Sequence, residues 1–314
     1  MPLTMDAEIA AVLAAAMEAA PEVPIARGDP QALREAVNTH LAAVDAGEPR
    51  CPNVSTENHA VTVADGSSIL ARWYTRAGFN PGSAVLYLHG GGMISGSVDL
   101  YDGLVAKYVE ETGVPFLSVN YRLAPEHPGT TPVNDSHSAL TWLVERAEDF
   151  GVDPTRIAVM GDSGGGGVAA GVAIAARNAK TPLAAQILIY PMLDDRNVEP
   201  DAHIAPFAIW TYDNNYTGWH ALLGEDLGAE QVSPLAAPSR LTSFDGLAPA
   251  FIDVGDLDIF RDENIVYALN LLSAGVPCEL HVRPGSLHGF DRLAPKARVS
   301  AASWADRYRA ITAI

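Results

Sequence analysis

From residue 83 onward, short apolar runs alternate with longer segments that carry helical periodicity. The helical segments lie near residues 101–112, 132–149, 165–179, 261–274 and 295–313. Continuous apolar strands that alternate with helices are typical of a mostly parallel sheet with helices on both faces. The sequence therefore predicts an α/β fold, with a hairpin at 61–64 and 69–74 and further strands at 83–88, 115–120, 156–160, 184–190, 249–254 and 278–283.

One connection is much longer than a simple crossover requires. Tyr190 and Pro249 are separated by 59 residues, whereas a crossover between parallel strands needs only about a dozen. Within it, positions 212, 216 and 219 fall on one face of a helix. We expect a helical cap over the carboxyl edge of the sheet, where the aromatic residues either pack the cap or line a pocket. The pocket candidates are Met93, Phe207, Trp210 and Tyr212.

The charge of the chain excludes two classes of partner. Lys and Arg number 20 against 38 Asp and Glu, which gives a formal net charge of −18. Nucleic acids and anionic membrane surfaces would repel such a chain. With 48% hydrophobic and 18% charged residues, the chain has enough apolar side chains for a large core, so disorder is not its main state.

Nothing in the sequence indicates membrane insertion or secretion. No segment reaches the roughly 18 apolar residues that a membrane span needs. The Ala-rich run at residues 7–20 has no Lys or Arg ahead of it and contains Glu8 and Glu18, which favours an amphipathic helix over a secretion signal. Two cysteines, Cys51 and Cys278, are too few for a disulfide scaffold or a zinc cluster. We expect a cytoplasmic protein.

The strongest chemical signal is the pattern G-x-S-x-G, present as Gly161-Asp162-Ser163-Gly164-Gly165. It directly follows a predicted strand and directly precedes a helical segment, the context in which this pattern presents a nucleophilic serine. A side chain at either flanking glycine would clash in so tight a turn. We therefore predict that Ser163 is a nucleophile above the sheet; the alternative is an ordinary glycine-rich turn.

A second glycine-rich segment, His-Gly-Gly-Gly at residues 89–92, follows another predicted strand. Consecutive glycines leave backbone N–H groups uncovered, and such donors beside a nucleophile can stabilise the oxyanion of a tetrahedral intermediate. The alternative, a phosphate-binding loop, would require G-x-x-x-x-G-K-[ST], or G-x-G-x-x-G before a helix, and neither is present. Because His89 lies inside the loop, we expect it to fix the loop rather than to act as a base.

A nucleophilic serine needs a base and an orienting carboxylate. Among nine histidines, His288 follows the last predicted strand, at the same edge of the sheet as the nucleophile. Asp253, Asp256 and Asp258 cluster after the strand before it, and spacing alone leaves Asp256 as a rival to Asp258. These aspartates lack the final Glu of an EF-hand and a nearby His, so we expect no metal site. The order Ser163, Asp258, His288 is that of the α/β-hydrolase arrangement.

These motifs together resemble the hormone-sensitive-lipase-like branch of the α/β hydrolases, a group of bacterial carboxylesterases. The matching segments are residues 89–92, Tyr-Arg-Leu-Ala-Pro-Glu at 121–126, 161–165, 258–263 and 288–290. The resemblance implies that Asp258 is the acid and that the N–H groups of Gly91, Gly92 and Gly164 form the oxyanion hole. The chain departs from the family pattern at two positions, where Gly164 replaces a common Ala and Ile259 replaces a usual Pro.

The resemblance and the motifs imply a serine carboxylesterase that hydrolyses short-chain or small aromatic esters through an acyl-enzyme, without a metal or organic cofactor. Two alternatives stay open: an amidase, deacetylase or formamidase that uses the same residues, or a non-catalytic ligand-binding protein on the same fold. The expected partner is a small-molecule ester substrate. The resemblance also suggests a homodimer through the edge strand near residues 278–283.

The same interpretation divides the chain into three parts. Residues 1–45 form N-terminal cap helices, residues 46–195 and 226–314 form the α/β-hydrolase catalytic core, and residues 196–225 form the cap insertion. Within the core, Arg122 and Glu126 are expected to brace the loop beneath the active site.

Overall fold

The structure is a computed structural model that describes residues 3–19 and 25–314, apart from the side chain of Ala19. Predictions for residues 1, 2 and 20–24, which include part of the N-terminal cap and the end of the Ala-rich run, lie outside the described residues. Within the described part, no helix is both long enough and apolar enough to cross a membrane.

The centre of the fold is a mostly parallel β-sheet. Its strands are β1 (Val54–Thr62), β2 (Ser68–Arg76), β3 (Ala84–Leu88), β4 (Phe116–Val119), β5 (Ile157–Asp162), β6 (Ala185–Ile189), β7 (Ala250–Gly255) and β8 (Cys278–Arg283). Within the described residues these eight strands lie in the order β1-β2-β4-β3-β5-β6-β7-β8. β2 is antiparallel to β1 and β4, and the other neighbouring pairs are parallel. All six predicted strands of the parallel part form.

The first two strands form the predicted antiparallel hairpin, which is longer than the sequence indicated. Its pairing extends from the turn to Val54, opposite Arg76. In the turn, the Asp65 carboxylate accepts hydrogen bonds from the N–H and Oγ of Ser67 at 2.9 and 2.6 Å. Gly66 adopts a φ of 83°, a left-handed conformation that favours glycine. The Asp-Gly pair therefore marks the turn correctly.

Helices cover both faces of the sheet. In β3, Leu86 and Leu88 enter one core cluster, while Val85 and Tyr87 enter a second cluster on the opposite face. Because both faces are buried, the parallel strands read as continuous apolar runs in the sequence. The helices of the described residues are α1 (Ala7–Ala19), α2 (Pro30–Ala46), α3 (Asp102–Thr112), α4 (Thr131–Glu145), α5 (Gly164–Ala179), α6 (Tyr212–Leu223), α7 (Arg261–Ser273), α8 (Phe290–Leu293) and α9 (Arg298–Thr312).

Two helices are shorter than the sequence predicts. α4 ends at Glu145 rather than near residue 149, because the chain turns back and the Val152 N–H donates to the Ala147 carbonyl at 2.8 Å. α9 begins at Arg298 rather than near residue 295, and the residues just before it separate it from the short helix α8. Neither difference changes the position of a candidate site residue.

The long connection between β6 and β7 contains the expected helix, α6. Tyr212 and Trp219 are buried on the predicted face, but Tyr216 is only half-buried and its ring stacks on His220 at 5.5 Å. Asn215 is buried in its place. The buried face is thus turned slightly from the one that the aromatic residues indicate.

Candidate active site

The chain makes a sharp turn between β5 and α5, and Ser163 occupies its tip. Ser163 has φ 55° and ψ −122°, a strained conformation that costs a non-glycine residue on the order of 1–3 kcal/mol. A Cβ on Gly161 would lie 2.2 Å from the Gly165 carbonyl oxygen, and one on Gly165 would lie 2.2 Å from the His89 carbonyl oxygen. Both flanking glycines are therefore sterically required.

The three side chains predicted for catalysis meet at the carboxyl edge of the sheet. Ser163 Oγ lies 2.9 Å from His288 Nε2, and His288 Nδ1 lies 2.7 Å from Asp258 Oδ2. Asp258 is fully buried, and its second oxygen accepts the Phe260 N–H at 2.9 Å. An ionised carboxylate only accepts hydrogen bonds, so Nδ1 is the donor and Nε2 is left to accept the serine proton.

The rival Asp256 and the third aspartate of the cluster, Asp253, have other partners. The Asp256 carboxylate accepts the Gly285 N–H at 2.7 Å, and burial raises its pKa. Asp253 accepts hydrogen bonds from Nε of Arg283 at 2.6 Å and of Arg307 at 2.9 Å. Burial alone would raise the pKa of Asp253, but these two cations outweigh it and hold the pKa below its ordinary value. Both carboxylates are engaged in holding loops and strands together.

Two aromatic rings that the sequence analysis missed enclose the imidazole of His288. Tyr190, just after β6, meets the imidazole edge-on with 4.8 Å between ring centroids. Phe260, in the loop between β7 and α7, also meets it edge-on, at 5.1 Å. Such contacts restrict the ring to the orientation that its two hydrogen bonds require. Tyr190 directly follows β6, and Phe260 ends the loop between β7 and α7, so the available signal was their place at the same edge as Ser163.

The glycine loop after β3 lies beside the nucleophile. Gly91 has φ 114° and Gly92 has φ 60°, and a Cβ on Gly91 would lie 2.4 Å from the Ser95 carbonyl oxygen. Among the described residues, the N–H groups of Gly91, Gly92 and Gly164 donate to no protein acceptor. Unpaired donors beside a serine are what an oxyanion hole requires.

The contact between Gly164 and this loop explains why glycine follows the nucleophile here. A Cβ on Gly164 would lie 2.7 Å from Gly92 N and 2.8 Å from Met93 N. An alanine at this position would push the loop away. The loop and the turn therefore approach each other more closely than the common Ala of the family would allow.

His89 has the structural role that its position in the loop predicts. Its ring stacks on Tyr121 at 4.3 Å, and its Nδ1 lies 2.9 Å from the Gly90 carbonyl oxygen. Burial lowers the pKa of His89 to about 4, which keeps the ring neutral at ordinary pH. Tyr121 also donates its hydroxyl proton to the His89 carbonyl at 2.6 Å.

Asp162, the residue before the nucleophile, is held behind the site. It accepts hydrogen bonds from the hydroxyls of Tyr87 at 2.5 Å and Tyr101 at 3.0 Å. Burial raises the pKa of this carboxyl. A Cβ on Gly90 would lie 2.5 Å from Asp162 Oδ2. The space beside this carboxyl group therefore admits only glycine at residue 90.

The predicted pocket residues fall into two groups. Trp210 lies against Gly92, and Met93 is buried beside Gly92 in the glycine loop after β3. Tyr212 is buried in the same core cluster as Trp210, whereas the partly exposed Phe207 packs against the cluster on the other face of the sheet. Trp210 and Met93 are therefore the candidates closest to the proposed oxyanion hole.

Arg122 braces the loop beneath the site. Its guanidinium donates to both carboxylate oxygens of Asp135 in α4, at 2.8 and 2.7 Å, and to Asp65 in the hairpin turn at 2.7 Å.

Within the described residues, no group of three or more His, Cys, Asp or Glu side chains is arranged to hold a metal ion. The site brings together a serine, an imidazole, a carboxylate and backbone donors.

Comparison with known proteins identifies the family. The family described as the alpha/beta hydrolase fold matches residues 85–292. The chain belongs to this family. The predicted α/β-hydrolase fold and the resemblance to the hormone-sensitive-lipase-like branch are confirmed.

Curated relatives of this α/β hydrolase are esterases. An ethyl acetate hydrolase of Pseudomonas putida is 33% identical over 264 residues, which are 81% of this chain and 80% of the relative. Carboxylesterase NlhH of Mycobacterium tuberculosis is 36% identical over 210 residues, 66% of each chain. Among solved structures, a bacterial heroin esterase has a TM-score of 0.89 and 36% identity, and the match covers 98% of this chain and 97% of that one. The predicted enzyme class, a carboxylic ester hydrolase, is confirmed.

Proposed function

We propose that the chain is a serine carboxylesterase that hydrolyses short-chain or small aromatic esters through an acyl-enzyme on Ser163. The observation that carries the proposal is the hydrogen-bonded series from Ser163 Oγ through His288 to the buried Asp258, at 2.9 and 2.7 Å. The unpaired N–H groups of Gly91, Gly92 and Gly164 beside it support the assignment.

In the acylation step, Ser163 Oγ attacks the ester carbonyl carbon while its proton passes to His288 Nε2. The carbonyl oxygen becomes an oxyanion that the proposed backbone donors stabilise. His288 then gives the proton to the alcohol oxygen, the carbon–oxygen bond breaks, and the alcohol leaves. Asp258 stabilises the imidazolium that forms between these two proton transfers.

In the deacylation step, water takes the place of the alcohol. His288 Nε2 accepts a proton from water as the hydroxyl attacks the acyl carbon, and the second tetrahedral intermediate uses the same oxyanion donors. The proton returns to Ser163 Oγ as the bond to the acyl carbon breaks, which releases the carboxylic acid. The cycle requires no redox or metal step.

The position of the proposed cap is evidence that the substrate is small. A Cβ on Gly218 of α6 would lie 3.0 Å from the Gly92 carbonyl oxygen. The cap helix therefore lies directly on the segment at residues 91–96, which we call the oxyanion loop. The relatives named for ethyl acetate and heroin hydrolysis point in the same direction. We therefore propose small acyl groups such as acetyl and butyryl as the preferred substrates.

The experiment is the substitution Ser163→Ala, assayed with p-nitrophenyl acetate and butyrate. We expect loss of turnover, together with loss of the acetyl adduct that mass spectrometry detects on the wild-type protein after a rapid quench. Ser138→Ala, which removes a half-buried hydroxyl that donates to the Asn134 carbonyl within α4, is the matched control and retains activity. Full turnover in Ser163→Ala contradicts the proposal, and faster hydrolysis of matched anilides than of esters assigns the amidase alternative.

We also propose that residues 1–45 and 196–225 act together as a cap on the core formed by residues 46–195 and 226–314. Contacts between the two cap segments support this division. Gly28 N donates to Thr217 Oγ1 at 2.9 Å, and Arg27 pairs with Asp213 at 3.3 Å. Limited proteolysis tests the division: cleavage in either cap segment should leave the core fragment intact. A cytoplasmic location stays a prediction.

A homodimer through β8 is a further proposal. β8 is an edge strand in the described sheet. The neighbouring helix α7 carries three exposed apolar side chains: Val266, Leu269 and Leu272 are 52, 59 and 54% exposed. Antiparallel pairing of two β8 strands about His281 would also place Glu279 opposite Arg283 of the second copy. Sedimentation velocity should show a dimer that Leu269→Glu dissociates, while Met17→Glu on exposed α1 does not. A wild-type monomer at all concentrations contradicts this proposal.

A further inference from the structure

We propose that Arg34 and Asn38, on the N-terminal helix α2, are positioning residues for the oxyanion hole. Neither side chain belongs to the sequence motifs of the site, and neither is placed to touch the reacting atoms. They bind the outer side of the loop whose inner side carries the donors of Gly91 and Gly92. The inference rests on the proposed function, because it assumes that this loop stabilises an oxyanion.

Arg34 connects α2 to two loops of the catalytic core at once. Its Nε donates to the Ile94 carbonyl at 2.5 Å, and its Nη2 donates to the Ala124 carbonyl at 2.6 Å. Nη1 and Nη2 also donate to the two carboxylate oxygens of Glu126, at 2.9 and 2.6 Å. One planar guanidinium therefore fixes the oxyanion loop relative to the loop at residues 121–126.

Asn38 holds the end of the same loop. It lies one helical turn after Arg34, and its Oδ1 accepts the Gly96 N–H at 2.9 Å. Residues four apart on a helix face the same side, so α2 presents both contacts to a single segment. That segment begins at Gly91 and ends at Gly96.

Inside the loop, few contacts set the direction of the donors. The Gly91 carbonyl accepts the N–H of Ser95 at 3.0 Å and its Oγ at 2.7 Å, and the Met93 carbonyl accepts the Ala124 N–H at 3.0 Å. Three residues in succession, 91 to 93, have positive φ values. A turn in such strained conformations persists only where the surrounding structure holds it, so it depends on external anchors for its shape.

The ion pair between Arg34 and Glu126 contributes little to the free energy of folding. An effect of its loss on activity can therefore be distinguished from an effect on folding. The Glu126 side chain is 51% exposed, and exposed ion pairs contribute little to folding free energy. Arg34 holds the pKa of Glu126 at about 2 through its hydrogen bonds, so Glu126 keeps its charge throughout the assay range. The consequence of losing Arg34 should therefore appear in transition-state stabilisation more than in the stability of the fold.

The experiment compares Arg34→Ala and Arg34→Lys with Arg298→Ala. Arg298 is the matched control because it also donates to a glutamate, Glu8, while its side chain is 91% exposed. We expect kcat for p-nitrophenyl butyrate to fall about 10–100-fold in Arg34→Ala, less than for outright loss of an oxyanion donor, with KM within about twofold. Lysine cannot reach both carbonyls and the carboxylate together, so Arg34→Lys should lie between Arg34→Ala and the wild type. Arg298→Ala should keep wild-type kcat.

A second readout reports on the oxyanion hole alone. A trifluoromethyl ketone forms a reversible hemiketal oxyanion with the serine, so its inhibition constant should rise in Arg34→Ala by the same factor by which kcat/KM falls. Asn38→Ala should show the same pattern to a smaller extent. Added guanidinium should restore part of kcat in Arg34→Ala, compared with sodium chloride at equal ionic strength.

The outcomes separate this inference from the proposed function. Full activity in Ser163→Ala removes the proposed function and the inference together. Loss of activity in Ser163→Ala, with wild-type kcat and inhibitor binding in Arg34→Ala, overturns the inference alone. A fall in kcat that accompanies an equal fall in the titrated fraction of active sites, with unchanged inhibitor binding, also overturns it, because it reports a folding defect.

Discussion

The indole of Trp210 lies against the backbone of Gly92, so closely that a Cβ on residue 92 would be 2.6 Å from Cη2 of the ring. Trp210 precedes α6 in the cap, whereas Gly92 belongs to the loop after β3. The indole N–H donates to Asn215 Oδ1 at 3.3 Å, which fixes the ring from the cap side. The proposed cap and the proposed oxyanion hole are therefore in direct contact, and the Trp210 ring limits the space beside Gly92.

Replacement of this ring should widen substrate choice. In Trp210→Ala we expect kcat/KM for p-nitrophenyl hexanoate, relative to acetate, to rise about tenfold, because an added methylene in an apolar pocket changes discrimination by roughly that factor. A series of p-nitrophenyl esters of increasing acyl length measures the effect. Trp142→Ala, in which the lost ring packs against His59 and Phe150, is the control. An unchanged ratio would show that Trp210 does not contact the substrate.

The choice between the two candidate acids can be tested directly. Asp258→Asn should lower kcat by about 10⁴, because an amide no longer holds His288 in the tautomer that accepts the serine proton. Asp256→Asn should keep kcat within about tenfold, because its carboxylate binds only the backbone near Gly285. Steady-state kinetics with p-nitrophenyl acetate compares the two variants. The reverse order of effects would assign the acid to Asp256.

The glycine after the nucleophile gives a prediction that runs against the family pattern. In Gly164→Ala, the added methyl group would meet Gly92 N at 2.7 Å, so the oxyanion loop must move outward. We expect kcat to fall about 10–100-fold while active-site titration still finds a full complement of reactive serine. Wild-type kcat would mean that the loop can adjust to the methyl group without loss of oxyanion stabilisation.

Much of the site could be predicted because it lies at strand ends. Ser163, Asp258 and His288 each follow a strand of the parallel sheet, and a parallel sheet brings those ends to one edge. The apolar runs located the strands, since both faces of the sheet are buried. Two choices needed the family resemblance: the acid, because Asp256 and Asp258 occupy the same loop, and the set of oxyanion donors.

The contacts that support these side chains could not be predicted. Tyr190 and Phe260 enclose His288, and Arg34 holds the oxyanion loop, through packing between elements that are distant in sequence. No periodicity marks such pairs, because each residue fits its own local pattern equally well without its partner. Tyr216 shows the same limit: helical spacing placed it on the buried face, yet it contacts His220 at the surface.

The buried Glu263 gives α7 a pH-dependent contribution to stability. Its carboxyl accepts the Leu193 N–H at 2.6 Å and an Asn197 side-chain N–H at 2.8 Å, and burial raises its pKa well above the ordinary 4.5. A raised pKa means that the folded state binds the proton more tightly than the unfolded chain. The stabilisation from protonation is therefore present at low pH and is lost as pH rises from about 4.5 through the folded pKa.

Glu263→Gln removes this titration while its amide oxygen still offers an acceptor for the Leu193 N–H. We expect the free energy of unfolding of the wild type, relative to this variant, to decrease with rising pH in that window by up to about 1.4 kcal/mol per pH unit. Urea unfolding at a series of pH values measures the difference. Glu230→Gln, which removes the same charge from an exposed site, corrects for net charge. A difference that stays constant across the window would show that Glu263 is ionised equally in the folded and unfolded states, against the effect that its burial predicts.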